Sequence, residues 1–113
     1  MRLTSTSFED GRPIPGALAL CVVDRRHHVT FGGNRSPALT WVDLPDATRS
    51  LVLICDDLDA PTKPDDVNKE DREGPSDLPR ADFYHWALVD VPPTLDGFAE
   101  GEFSEGVTAR GKG

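Results

Sequence analysis

The sequence predicts an all-β protein, a sandwich of short antiparallel strands joined by turns. Ten prolines and ten glycines in 113 residues divide the apolar residues into short segments, a pattern typical of β-sandwiches. No long stretch shows the i, i+3, i+4, i+7 spacing of an amphipathic helix. A chain of this length forms one domain, so we expect residues 1–113 to fold as a unit.

The apolar segments define the expected strands. They are Leu3–Phe8, Ala17–Val23, Ala38–Val42, Ser50–Asp56, His85–Val91 and Glu102–Thr108. Leu51–Cys55 is apolar at every position, which favours a central strand covered on both faces. In the fifth segment, alternation predicts that Trp86 and Leu88 occupy one face and the odd-numbered residues the other. We expect these two strands to form the core.

Charge and composition exclude several classes of function. A net charge of -8 and a pI near 4.7 disfavour binding to nucleic acid or to anionic membrane surfaces. No apolar run approaches the ~20 residues of a spanning helix, and the N-terminus lacks the apolar core of a signal peptide. Cys21 and Cys55 lie inside apolar segments, which favours free, buried thiols. We therefore expect a cytoplasmic protein without membrane insertion.

Residues 62–82 predict a long polar loop. They contain seven acids and four bases, and Val67 and Leu78 are their large apolar residues. A loop of this length is either a solvated excursion or part of a functional site.

The candidate site is a pair of strand ends. Asp56, Asp57 and Asp59 follow one apolar strand, and His85 opens another. If the chain stays extended, Asp57 and Asp59 point to the same side, and a histidine beside them would be held protonated or have its tautomer fixed. The acids would otherwise form a turn that caps its own backbone. The residues alone leave both interpretations open.

Other chemistry finds little support in the sequence. The acids lack the glycine and the distal glutamate of a calcium loop. His27 and His28 are adjacent, which is typical of an exposed hairpin and unsuited to chelation. No G-x-S-x-G motif is present, and neither cysteine has an electropositive setting. We predict no metal, no cofactor and no catalytic residue.

Four segments carry a family resemblance. They are SFEDGRPIP at 7–15, NRSPALTWVDLPDATRSLVLICDDLDAP at 34–61, FYHWALVDVPP at 83–93 and GEFSEGVT at 101–108. Together they resemble the phosphatidylethanolamine-binding protein family, in its bacterial Raf-kinase-inhibitor-like branch. The most specific element is D-x-D-x-P, formed by Asp57, Asp59 and Pro61, with a histidine opening the next core strand.

The resemblance implies a Greek-key sandwich with a small pocket for phosphate or a phosphoethanolamine headgroup. By the same resemblance, Asp57 and His85 line this pocket. Asp59 and Pro61 shape its rim, with a cis peptide bond before Pro61. Phe83 stands near the mouth, and Arg80 approaches from the loop. Leu58 occupies a position where many relatives carry proline.

The chain departs from the family pattern at its end. The family's second signature, a glycine- and proline-rich turn followed by a histidine–arginine–aromatic triplet, does not occur before the sequence stops at GVTARGKG. We therefore expect a sandwich that is incomplete at the C-terminus. Its uncovered apolar strands would favour aggregation or a homodimer.

These observations predict a ligand-binding or regulatory domain without chemistry of its own. Its partner would be a small phosphorylated or anionic ligand, or a protein segment, and the resemblance suggests inhibition of a kinase or a protease. One alternative is a small hydrolase in which Asp57 and His85 act as base and orienter. Another is a non-binding fragment that self-associates.

Overall fold

Antiparallel strands are the regular secondary structure of the residues that the structure describes. A computed structural model describes residues 1–67 and 69–105, and within these ranges it contains no helix, hence none that could cross a membrane. The strands in these ranges are β1 (Arg2–Thr4), β2 (Cys21–Asp24), β3 (His28–Phe31), β4 (Leu39–Val42), β5 (Leu51–Pro61), β6 (Arg80–Val91) and β7 (Gly97–Phe98). The predicted all-β, antiparallel fold class is confirmed.

The strands of the described ranges form three sheets. One has the order β1-β4-β7, so the short strand β4 is its centre. The second is the hairpin β2-β3. The third is a long two-stranded ribbon of β5 and β6, which carries all of the predicted site residues.

The core lies between β4 and one face of the ribbon. Leu39, Trp41 and Val91 are buried, and Trp41 retains only 3% of its accessible surface. Partly buried side chains surround them: Leu44, Leu51, Leu53, Leu88 and Phe98. The indole N–H of Trp41 donates to the carbonyl oxygen of Leu95 at 2.8 Å. The predicted core strands therefore do contribute to the core, but through one face only.

The prediction that Leu51–Cys55 is covered on both faces is wrong. Val52 and Ile54 are each 57% exposed, because in the described ranges β5 pairs with β6 alone and the core contacts one side of the ribbon. We call that side, with Leu51, Leu53, Leu88 and Val91, the inner face. The opposite side, with Val52, Ile54, Tyr84, Ala87 and Val89, is the outer face.

The predicted division of β6 into odd and even faces is also wrong. Leu51 pairs with Val91, but Leu53 pairs with Leu88, so between these pairs two residues of β6 oppose one of β5. This bulge shifts the alternation by one residue and brings Val91 to the inner face beside Leu88. Asp90, within the bulge, has a positive φ of 56°.

The remaining strand predictions meet with mixed results. Ala38–Val42 matches β4, whereas β1 is shorter than Leu3–Phe8 and β2 begins only at Cys21. Strands β3 and β7 were not predicted. In the segment Glu102–Thr108, residues 102–105 form turns and bends, and residues 106–108 lie outside the described residues. Cys21 and Cys55 are free, as expected, but half-buried.

The hairpin β2-β3 makes a pH-dependent prediction. Oδ1 of Asp24 accepts the backbone N–H groups of Arg26 and His27, each at 2.8 Å, and these bonds hold the pKa of Asp24 below its ordinary value. A lowered folded pKa means that the carboxylate stabilises the turn above the ordinary pKa and loses this effect as the pH falls through the lowered one. We expect hydrogen-exchange protection factors of the hairpin amides to fall in that acid range.

A substitution tests the same contact at neutral pH. Asp24→Ala should lower the protection of the hairpin amides there, whereas Asp46→Ala, which removes an exposed acid from another turn, should leave them unchanged. Equal protection in the Asp24 variant and the native chain would contradict a role for these two hydrogen bonds.

Candidate functional site

Asp57 and His85 meet at the part of the ribbon that extends beyond the core. Oδ2 of Asp57 lies 3.9 Å from Nε2 of His85, and the two side chains are 44% and 50% exposed. Phe83 pairs with Asp57 across the ribbon. Its ring stands edge-on to the imidazole, with centroids 5.0 Å apart. Asp57, Phe83 and His85 form what we call the Asp57–His85 cluster, so these three predicted residues are brought together.

A β-bulge places the imidazole in this cluster. Cys55 pairs with Trp86, and the next residue, Asp56, pairs with Tyr84, so His85 is a surplus residue on β6 without a partner in the register. Bulges redirect side chains and are frequent next to functional sites. As the extra residue of the bulge, His85 contacts Asp57 and Phe83. Its neighbour Trp86 keeps its regular place in the ladder, opposite Cys55.

The acids lie within an extended strand. The structure continues β5 to Pro61, five residues beyond the end of the predicted strand Ser50–Asp56, so the extended alternative is the one observed. The backbone capping considered as its alternative is nevertheless present, because the Asp59 N–H donates to Oδ1 of Asp57 at 2.9 Å. This bond lies within a third register shift of the ribbon, between Asp57 and Ala60. One carboxylate oxygen of Asp57 thus accepts a backbone hydrogen bond of its own strand, and the other faces His85.

Pro61 and Arg80 lie at the far end of the ribbon, where they pair with each other. Arg80 begins β6 and does not belong to the loop, and its Nη1 donates to the backbone carbonyl of Asp59 at 3.3 Å. The predicted cis bond before Pro61 is wrong, since the described residues contain no cis peptide bond. Pro61 ends a strand, where the favoured trans form fits, and does not sit in a tight turn.

The predicted site residues therefore divide into two groups. Pro61 and Arg80 border an open groove of about 290 Å³, which is lined in addition by Lys63, Asp66, Val67, Gly74, Pro75 and Leu78. Asp57 and His85 are not among its lining residues. Phe83 lies three positions after Arg80, roughly 10 Å along a strand.

Sequence reasoning did not assign the loop residues of this groove. A signal was present, because Val67 and Leu78 are the large apolar residues of the polar segment 62–82. Both lie in the groove. The pairing of Arg72 with Asp66, at 3.3 Å, ties the loop together beside it.

The thiol nearest the cluster is a poor nucleophile. Burial raises the pKa of Cys55, and the neighbouring carboxylates of Asp56 and Asp57 raise it further. Less thiolate is therefore present at neutral pH than for an ordinary cysteine. Within the described ranges, no three histidine, cysteine or acidic side chains converge as a metal-ligand set.

Comparison with known sequences identifies the family. A profile described as phosphatidylethanolamine-binding protein matches residues 4–112. The chain belongs to this family. The match includes β5, β6 and the Asp57–His85 cluster, so the family resemblance inferred from the D-x-D-x-P element is confirmed.

Curated relatives of this phosphatidylethanolamine-binding protein family member come from archaea and bacteria. A UPF0098 protein of Methanothermobacter thermautotrophicus is 30% identical over 100 residues, which cover 88% of this chain and 48% of the relative. A UPF0098 protein of Chlamydia trachomatis is 32% identical over 101 residues, covering 89% and 52%. The UPF0098 protein YbhB of Escherichia coli is 29% identical over 115 residues, covering 96% and 54%. The chain spans about half the length of these curated relatives.

Proposed function

We propose that this chain binds a small anionic ligand, phosphate or a phosphoethanolamine-type headgroup, at the Asp57–His85 cluster. One observation carries the proposal: a bulge on β6 directs the imidazole of His85 to within 3.9 Å of the Asp57 carboxylate, with both side chains half exposed. Family membership supports a ligand-binding domain in general. The ligand class is the one that the family resemblance implies, and the charges of the cluster are used to choose within it.

The charges favour a zwitterion over a simple anion. A net charge of -8 and a carboxylate within the cluster both repel phosphate. Phosphoethanolamine carries a phosphate, which a protonated His85 can bind. It also carries an ammonium, which can donate a hydrogen bond to the Asp57 carboxylate. Because Asp57 and His85 are neighbours, one ligand molecule can contact both side chains. We therefore infer tighter binding of phosphoethanolamine than of inorganic phosphate.

We propose binding without turnover. A hydrolase would need a hydrogen bond between Asp57 and His85 as base and orienter, and their separation of 3.9 Å exceeds the ~2.6–3.2 Å of such hydrogen bonds. The raised pKa of Cys55 removes the neighbouring thiol as an effective nucleophile. Regulation of a kinase or a protease, as the family resemblance suggests, would require a protein partner that presents a similar anion.

Replacing His85 tests the proposal. A charge-assisted hydrogen bond contributes about 1.5–3 kcal/mol, so His85→Ala should weaken phosphoethanolamine binding by roughly 10- to 100-fold. The measurement is an amide NMR titration of the 113-residue chain. His27→Ala is the matched control, because His27 is an exposed histidine in the β2-β3 turn and its loss should leave the affinity unchanged.

Equal affinity of the native chain and the His85 variant would refute the cluster as the binding site. Release of inorganic phosphate from a phosphoester would instead favour the hydrolase.

A further inference from the structure

The loop of residues 62–79 encloses the open groove of about 290 Å³ at the far end of the ribbon. The base of this loop is closed, because the Thr62 N–H donates to the carbonyl oxygen of Pro79 at 3.0 Å. This bond directly follows the last pair of the ribbon, Pro61 with Arg80. The groove lies outside the Asp57–His85 cluster, and the proposed function gives it no role.

Two turns that begin with proline supply the apolar part of the groove. The Val67 N–H donates to the carbonyl oxygen of Pro64 at 3.0 Å, and the Leu78 N–H donates to that of Pro75 at 3.4 Å. Each turn thus ends in an aliphatic side chain, and Val67 and Leu78 both line the groove. Since proline locks its own φ, the backbone that carries these side chains is restricted before a ligand binds.

Two cations border the same groove. Lys63 and Arg80 line it, although the chain as a whole carries a charge of -8. Nη1 of Arg80 donates to a backbone carbonyl of β5 at 3.3 Å, which holds the guanidinium and leaves other N–H donors for a ligand. Asp66 is the acid among the lining residues that the structure describes. It is paired at 3.3 Å with Arg72, which also contacts Asp71 at 3.5 Å, so positive charge predominates in the groove.

We propose that this groove is a second binding site, which takes a small amphipathic carboxylate. The carboxylate lies between Lys63 and Arg80, because a guanidinium matches a carboxylate in geometry and charge. The alkyl chain packs against Val67 and Leu78, which removes apolar surface from water. A water-sized group occupies about 30 Å³ of a liquid, so a groove of this volume admits about ten non-hydrogen atoms. Octanoate is a carboxylate of about this size.

The groove and the Asp57–His85 cluster can be occupied independently. Neither Asp57 nor His85 lines the groove, and Phe83 of the cluster lies roughly 10 Å along the strand from Arg80. Saturating phosphoethanolamine should therefore leave the affinity for octanoate unchanged, and so should His85→Ala. The two proposals can fail separately for the same reason.

An amide NMR titration of the 113-residue chain with octanoate tests the proposal. We expect shifts centred on the amides of Lys63, Val67, Leu78 and Arg80. Acetate lacks the alkyl chain and 1-octanol lacks the charge, so each should bind at least tenfold more weakly than octanoate.

Substitutions at exposed positions separate the two parts of the groove without disturbing the core. Lys63→Glu and Val67→Asp should each weaken octanoate binding at least tenfold. Lys69→Glu is the matched control for the first, because Lys69 is an exposed lysine of the same loop that does not line the groove. Val23→Asp is the control for the second, because Val23 is 90% exposed on the separate β2-β3 hairpin. Both controls should leave the affinity unchanged.

A reversed preference distinguishes a binding role of Lys63 from a structural one. Lys63→Glu should bind octylamine, whose head is an ammonium, at least tenfold more tightly than the native chain does. Lys69→Glu adds the same charge to the same loop and should not produce this gain.

Three results would overturn the site. One is a titration in which acetate or 1-octanol binds as tightly as octanoate. Another is a set of shifts centred away from the groove, on the outer face of the ribbon or at His85. The third is an equal response of the Lys63 and Lys69 variants to both octanoate and octylamine.

Discussion

Trp41→Ala is expected to lower the free energy of unfolding by about 3–5 kcal/mol, the usual cost of truncating a large buried aromatic side chain. Trp41 is one of three buried hydrophobic residues in the described ranges, so few other contacts can compensate. Its ring also stands edge-on to Phe98, with centroids 5.2 Å apart, and its indole binds the Leu95 carbonyl. The loss would therefore loosen both β7 and the turn before it. Urea unfolding monitored by circular dichroism measures the effect.

Two variants separate the contributions of Trp41. Trp41→Phe keeps an aromatic ring but leaves the Leu95 carbonyl without its donor, so it should cost less than the alanine variant. Trp86→Ala should also cost less, because Trp86 is 39% exposed. If truncating Trp86 destabilised the chain as much as truncating Trp41, the centre of the core would lie in the ribbon and not at β4.

Gly97→Ala should destabilise the chain by about 1–3 kcal/mol through overpacking. Gly97 pairs with Thr40 in the β4-β7 ladder. A Cβ atom there would overlap the carbonyl oxygen of Leu39 and lie 3.2 Å from Cα of Thr40. Both obstacles are backbone atoms, so relief requires β7 to move away from β4. The unfolding midpoint in urea is the measurement.

Gly74→Ala provides the control for this prediction. A Cβ at Gly74 would meet only Cβ of Asp66, at 3.6 Å, which is ordinary contact. Alanine there should be neutral or slightly stabilising, because it restricts the unfolded chain. Equal destabilisation by the two substitutions would show that the close approach of β7 to β4 does not decide the stability of the sheet.

The fold class was predictable because prolines and glycines divide the apolar residues into short segments, and this spacing can be recognised locally in the sequence. The bounds of the ribbon were not. A run of acids such as Asp56, Asp57 and Asp59 disfavours strand, yet pairing with Arg80–Tyr84 keeps β5 extended to Pro61. Cross-strand pairing of this kind depends on residues about twenty positions away in the chain, which no local pattern records.

The site was predictable in part. Asp57 and His85 do meet, together with Phe83. Simple alternation, however, placed His85 and Val91 on the same face as Ala87, because a period of two cannot anticipate a bulge. Arg80 and Pro61 were assigned to the same pocket by resemblance, and they border a separate groove. Their role in ligand binding remains a prediction.

The position of the imidazole depends on the number of residues in β6, because His85 is the extra residue of a bulge. Between the partners of Cys55 and Asp56 the opposite strand has one residue more than the ladder needs, and that residue is His85. Substituting its neighbours leaves this count unchanged, whereas deleting a single codon between Tyr84 and Trp86 removes the bulge together with the histidine. Among relatives, we therefore expect the number of residues in this segment to be conserved as well as their identities.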